Sequence, residues 1–188
     1  MLSGRRLDLL SPDPKDIEIE DIAHGLARVA RWNGQTKGTH AFSVAQHSLV
    51  VADIVNALWP NFTANELLAA LLHDAPEYVI GDLISPFKTA IGLDYKSFEL
   101  NLLQAIYCRF GIQDLSLAAA TAIKQADTIA AYYEATRLAG FETTEAELFF
   151  GIPSLPAELH ERLDVLGAVA ASDAQTLFLA KFAELLPR

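Results

Sequence analysis

The chain has 188 residues, 52% of them hydrophobic, with modest glycine and proline and a single cysteine. That is enough for one hydrophobic core without disulfide help, and it excludes a disordered segment. The formal charge of −10, from 24 acidic and 14 basic residues, repels polyanions and excludes a nonspecific nucleic-acid binder. It leaves open a small phosphorylated substrate, because a metal ion and one or two buried cations would dominate the local field. Cys108 has no intrachain partner, which points to a reducing, cytoplasmic setting. The first residues carry only the short apolar patch 7–10, too little for a secretory signal. No apolar run is long enough to span a bilayer.

The elements are helical nearly throughout. A short strand is expected over 5–10, followed by a turn-rich arm carrying Pro12 and Pro14. The spacing of Ile22, Leu26 and Val29 predicts a helix over 20–31, closed by the Asn33-Gly34 turn signal. Ser43 is an N-cap with Gln46 three residues later, as in a capping box. The helix behind it carries Val44, Val51, Ile54, Val55 and Leu58. Pro60-Asn61 breaks that helix, and the next starts near Thr63 with Leu67, Leu68, Leu71 and Leu72 facing inward. Pro76 stands where an interior helical residue would be, so this helix should end or kink close to Ala75. Gly81-Asp82 and Ser85-Pro86 mark a loop. Further helices are expected over 95–110 and 117–138, and two more between Pro156 and Leu186. The reading is an all-α fold, a single-domain helical bundle over 1–188: an N-terminal arm (1–19), a metal-binding helical core (20–140) and C-terminal helices (141–188).

Four polar residues interrupt the apolar faces. His47 shares its side of the helix with Val44, Val51 and Ile54, and Asp127 with Ile123, Ala130 and Ala131. His73 and Asp74 end the run LLAALLHD, His73 on the face of Ala69 and Ala70. A carboxylate set against aliphatic side chains loses several kcal/mol of hydration unless a partner compensates it. Lys124 is three residues before Asp127, but it reaches solvent as readily. A divalent ion would compensate Asp74 and Asp127 together. Each residue alone has an ordinary reading: His47 as a hydrogen-bonded core histidine, Asp127 as a cap or an arginine partner. The combination points to one metal held by His47, His73, Asp74 and Asp127. Two imidazoles and two carboxylates leave vacant positions on an octahedral ion, which favours Mn, Co, Fe, Ni or Mg over structural Zn, without excluding Zn.

The segments RVARWNG, SVAQHSLVVAD, LLAALLHDAPEYVIGDLISPFK and IKQADTIAAYYEA resemble the HD-domain superfamily of metal-dependent phosphohydrolases. The resemblance covers roughly residues 28–140 and is closest to the small bacterial HD-domain 5′-nucleotidases that act on deoxyribonucleoside monophosphates. It implies a helical bundle around one divalent metal ion ligated by His47, His73, Asp74 and Asp127. It implies Glu77 as the catalytic carboxylate that orients or activates water, with Asp74 also counted in the catalytic machinery. Arg31 would hold the substrate phosphate, Trp32 would crowd the sugar against a ribose 2′-hydroxyl, and Asp82 would contact the 3′-hydroxyl. A homodimer is likewise implied. Three features depart from the pattern: the Trp32–His47 interval is one residue longer, Gln46 stands where a glutamate often precedes the histidine, and Pro76 replaces a small residue before Glu77.

The expected activity is phosphoric monoester hydrolysis in nucleotide metabolism, by in-line attack of water activated at the metal. Arg31 would neutralise the equatorial oxygens, and Glu77, four residues after His73, would reach the water. On spacing alone, Glu77 is equally an acid near a helix end, Arg31 a cation complementing a helix dipole, and Trp32 a core anchor. Lys88 is either a phosphate contact or a solvated lysine. The alternatives are hydrolysis of an alarmone or a nucleoside triphosphate, and a non-catalytic module that binds nucleotide or metal.

Overall fold

The computed structural model describes residues 1–84, 90, 93–112 and 115–186; Ser85, Pro86 and Lys88 lie outside them. The fold is all-α. Among the described residues the helices are α1 (Ile19–Leu26), α2 (Val44–Leu58), α3 (Ala64–Leu71), α4 (Glu77–Ile80), α5 (Leu93–Arg109), α6 (Leu117–Arg137), α7 (Thr143–Phe150), α8 (Ala157–Asp164) and α9 (Ala171–Leu185). Two 3₁₀ turns, Pro14–Asp16 and Arg31–Gly34, join them. Among the described residues, no helix is long and apolar enough to cross a membrane.

Helix α2 is the hub, packed against α3, α6 and α9. Val44, Val51, Ile54 and Val55 are fully buried there, and His47 lies among them. Its start is set by Ser43, whose hydroxyl accepts the Gln46 N–H. The other half of the anticipated capping box does not form. The Gln46 side chain donates instead to the Gly167 carbonyl and accepts from the Val169 N–H, tying α2 to the connection before α9. Thr63 and Glu66 do form the reciprocal box at the start of α3, which satisfies two of the orphan donors there.

Three expectations are corrected. No strand forms over 5–10; that arm is held by side chains, with Ser3 bonded to the Asp21 carboxylate through its N–H and its hydroxyl, and Arg5 to Glu18. Helix α1 stops at Leu26 rather than near Arg31, because the following backbone is taken by an isolated antiparallel bridge between Ala30 and Ser43. The Arg31 N–H donates to the Phe42 carbonyl at 2.8 Å and the Val44 N–H to the Val29 carbonyl at 3.0 Å. This bridge sets Arg31 beside the first turn of α2. Helix α3 ends at Leu71, earlier than Pro76 alone requires, and residues 72–76 form consecutive turns. Pro76 then sits with helical dihedrals immediately before α4, a position that needs no backbone N–H.

Helix α4 is a single turn, so its place depends on what it rests upon. It packs against α1 at Gly25, where an added Cβ would lie 2.8 Å from both the Cβ and the carbonyl oxygen of Tyr78. Contact with backbone at that distance cannot be relieved by a rotamer change. Gly25→Ala is expected to lower stability by about 1–3 kcal/mol, read as a lower urea midpoint at unchanged slope; an unchanged midpoint would show that α1 and α4 do not meet this closely.

Candidate metal centre

Three separate backbone environments bring the site together. His47 comes from the first turns of α2, Asp127 from the middle of α6, and His73 and Asp74 from the turn after α3. The turn matters. Adjacent residues on a continuous α-helix diverge by about 100° and do not face a common point. Released from the helix, His73 and Asp74 converge, with Nε2 to Oδ2 3.2 Å apart. His47 Nε2 lies 3.4 Å from the same Asp74 oxygen and 3.2 Å from Asp127 Oδ1. Ligand atoms of His47, His73 and Asp127 all fall within 4.8 Å of one another.

The tautomers follow from the outward partners. His47 donates its Nδ1–H to Glu134 Oε1 at 2.5 Å, and His73 donates its Nδ1–H to the Ala70 carbonyl at 2.9 Å. In the neutral rings both Nε2 atoms then carry lone pairs, and both are buried with no hydrogen-bond partner. They face carboxylate oxygens, which are also acceptors. Such a gathering of acceptors is unfavourable until a cation or proton is placed among them. Two donors about 2.1 Å from one ion are about 3.0 Å apart at a right angle and about 3.4 Å apart at the tetrahedral angle. The observed 3.2–3.4 Å separations lie within that interval. The residues present fit a divalent ion.

The same field is visible in the titration of the site without one. Burial and Arg31 oppose protonation of His47, yet Glu134, Asp127 and Asp74 hold its pKa well above the usual imidazole value. Burial would raise Asp74 and Asp127; the two histidines overcome it and hold both carboxyls well below their ordinary range. Burial also opposes ionisation of Glu134, but His47 and Arg31, with the Trp32 bond, bring it to about 2.

Above the cluster lies a cavity of about 340 Å³ whose lining includes Arg31, Trp32, Asp74, Glu77, Asp82 and Asp127. The structure thus brings the anticipated residues to one place. Glu77 is 2% exposed at the first position of α4. Arg31 faces the cavity already paired, its Nε 3.3 Å from Glu134 and its Nη1 3.3 Å from Asp82, so Asp82 meets the guanidinium there. Trp32 holds a left-handed backbone (φ 55°), as does Asn33 (φ 51°). That conformation is strained for a bulky residue, and the side chain secures it. The indole N–H donates to Glu134 at 2.9 Å, and the ring meets Phe141 and Phe150 edge-on. Trp32 is both a packed anchor and a cavity wall.

Lys124, named above as a neighbour of Asp127, does both things open to it: its side chain is 78% exposed, and its Nζ donates to Asp127 Oδ2 at 2.6 Å, which leaves Oδ1 for the cluster. One participant escapes the reading of the sequence. Glu134 is fully buried and joins His47, Trp32 and Arg31. Its signal was its spacing, seven residues after Asp127 and so two turns along the same face of α6.

No family model matches the chain. It is 56% identical over 154 residues to an uncharacterized protein of Rhodobacter capsulatus, and the alignment covers 81% of this chain and 79% of that one. The chain belongs to that protein's family.

Ion binding should depend on the cluster and not on histidines elsewhere in the chain. His73→Ala is expected to weaken Mn²⁺ binding by more than roughly 100-fold, since outer-shell partners alone are worth roughly 10–100-fold. His160→Ala, whose ring is bonded to Tyr133 away from the cluster, should leave it unchanged. Isothermal titration of both variants checks this, and equal affinity in the two would remove the cluster as the ion site.

Proposed function

We propose that the protein is a metal-dependent phosphohydrolase of the HD-domain type that removes phosphate from nucleoside 5′-monophosphates, deoxyribonucleotides preferred. The observation that carries this reading is the pair of bare, buried imidazole nitrogens converging with Asp74 and Asp127 at the floor of a cavity that also contains a buried carboxylate, Glu77, and a cation, Arg31. A purely structural metal would be enclosed; this cluster opens upward to a cavity.

Charge dictates the order of events. Five carboxylates, Asp74, Glu77, Asp82, Asp127 and Glu134, surround two cations, Arg31 and Lys124. A phosphate dianion is repelled by that balance until a divalent cation is present. When bound by His47, His73, Asp74 and Asp127, such an ion supplies Lewis acidity toward a phosphoryl oxygen and lowers the pKa of water. Glu77 accepts the proton of the attacking water and lies on the cavity wall for that task. Arg31 supplies a planar, always-charged fork for the phosphate, held in place by Asp82 and Glu134. Trp32, braced on two phenylalanines, presents a rigid edge to the sugar, and a rigid wall rejects an added hydroxyl better than a mobile one. A cavity of about 340 Å³ falls at the small end of ligand sites and suits a monophosphate better than a triphosphate. A cytoplasmic homodimer is part of the same proposal.

The test is phosphate release from deoxyribo- and ribonucleoside monophosphates with Mn²⁺, Co²⁺ and Mg²⁺, repeated with Asp74→Ala. Deoxyribonucleotides should be turned over faster. The variant should lose roughly 100- to 1,000-fold in kcat/KM or more, the scale of removing one electrostatic stabiliser. Equal rates on both sugars would remove the role given to Trp32. No turnover of any phosphoester with the ion bound would replace the hydrolase by a nucleotide- or ion-binding module.

A further inference from the structure

Three N–H groups from two different segments end on one carboxylate. His47 Nδ1, in α2, lies 2.5 Å from Glu134 Oε1; Trp32 Nε1 and Arg31 Nε, in the 3₁₀ turn, lie 2.9 Å and 3.3 Å from Oε2. Both His47 and Glu134 are fully buried. A hydrogen bond from a metal-ligating histidine to a carboxylate fixes the ring and its tautomer. Here the second oxygen of the same carboxylate is committed to two residues of the cavity wall.

We propose that Glu134 is a positioning residue that joins the ion site to the substrate cavity: Oε1 holds His47 in the tautomer that leaves Nε2 bare, and Oε2 holds Arg31 and Trp32 at the wall. This rests on the metal reading above and adds to it a residue outside the ligand set and outside the cavity lining.

The chemistry of the side chain is decisive. Both oxygens must accept, because a donor faces each of them, and an ionised carboxylate alone offers that. Glutamine has nearly the same shape but one accepting end. With its amide NH₂ toward His47, the ring must turn its proton to Nε2 and lose the lone pair that the ion needs. With the NH₂ toward the 3₁₀ turn, it opposes the indole and guanidinium donors, and the Arg31–Trp32 pair loses its anchor. Either orientation severs one side of the link. The left-handed Trp32 backbone makes that side sensitive, because the bond to Glu134 is one of the contacts that offset its strain.

The experiment compares Mn²⁺ binding by isothermal titration in the full chain and in Glu134→Gln, with no phosphoester present and with far-UV circular dichroism as the check on folding. Affinity should fall roughly 10–100-fold in the variant while helicity stays the same. Affinity within about twofold of the parent would overturn the proposal and leave the hydrolase reading untouched. Failure of the parent to bind any Mn²⁺ would overturn both. A second measurement needs no variant: in the ¹⁵N-histidine-labelled chain loaded with Zn²⁺, His47 should carry its proton on Nδ1, shifted downfield by a short hydrogen bond, with Nε2 as the ligand. The opposite tautomer would sink the proposal even if Glu134→Gln does not fold.

Discussion

The constraint on which this molecule turns is a concentration of hydrogen-bond acceptors inside an apolar core. His47 Nε2 lies 3.4 Å from Asp74 and 3.2 Å from Asp127, and His73 Nε2 lies 3.2 Å from Asp74, while Lys124 donates to the other Asp127 oxygen. Protein interiors rarely keep such groups unpaired, because each lost partner costs on the order of 1–3 kcal/mol. A proton on His47 relieves part of this, and a divalent cation relieves all of it. The fold carries an unfavourable arrangement in its empty form that becomes favourable on binding, so ion and fold stabilise one another.

The helices are arranged to hold that arrangement rigid. Helix α2 runs through the centre with His47 in its first turns, and α6 crosses it carrying Asp127 and, two turns on, Glu134. The bridge between Ala30 and Ser43 fixes the segment bearing Arg31 and Trp32 to the start of α2. The close approach of α1 to α4 at Gly25 sets the position of Glu77 from the other side. Ligands and wall thus stand on packed elements or on short turns locked between them, which is how a site keeps its geometry.

Much of this was legible from residue spacing alone. The inward faces of α2 and α6 follow from three- and four-residue intervals around His47 and Asp127, and the surrounding helices from the same periodicity. What escaped has identifiable causes. The end of α1 is decided by a tertiary bridge to Phe42 and Val44 that no local pattern announces, and the arm over 5–10 is held by Asp21 and Glu18 rather than by strand pairing. Helix α7 lies in the stretch TTEAELFF, whose start has no side-chain cap. The early end of α3 is the instructive case: His73 and Asp74 stand on turns rather than on the helix, and the turns bring Nε2 and Oδ2 to 3.2 Å. Glu134 escaped because it lies two turns beyond Asp127 on α6, past the neighbours at three and four residues. Its three partners come from segments about ninety to a hundred residues away along the chain.

The most direct test of the central claim is anomalous diffraction from crystals of the chain grown with Mn²⁺. The account predicts one strong peak about 2.0–2.3 Å from His47 Nε2, His73 Nε2 and carboxylate oxygens of Asp74 and Asp127, with Glu134 still bonded to His47 Nδ1. Absence of a peak there at saturating Mn²⁺, with the two Nε2 atoms bonded to protein groups or water instead, would contradict it.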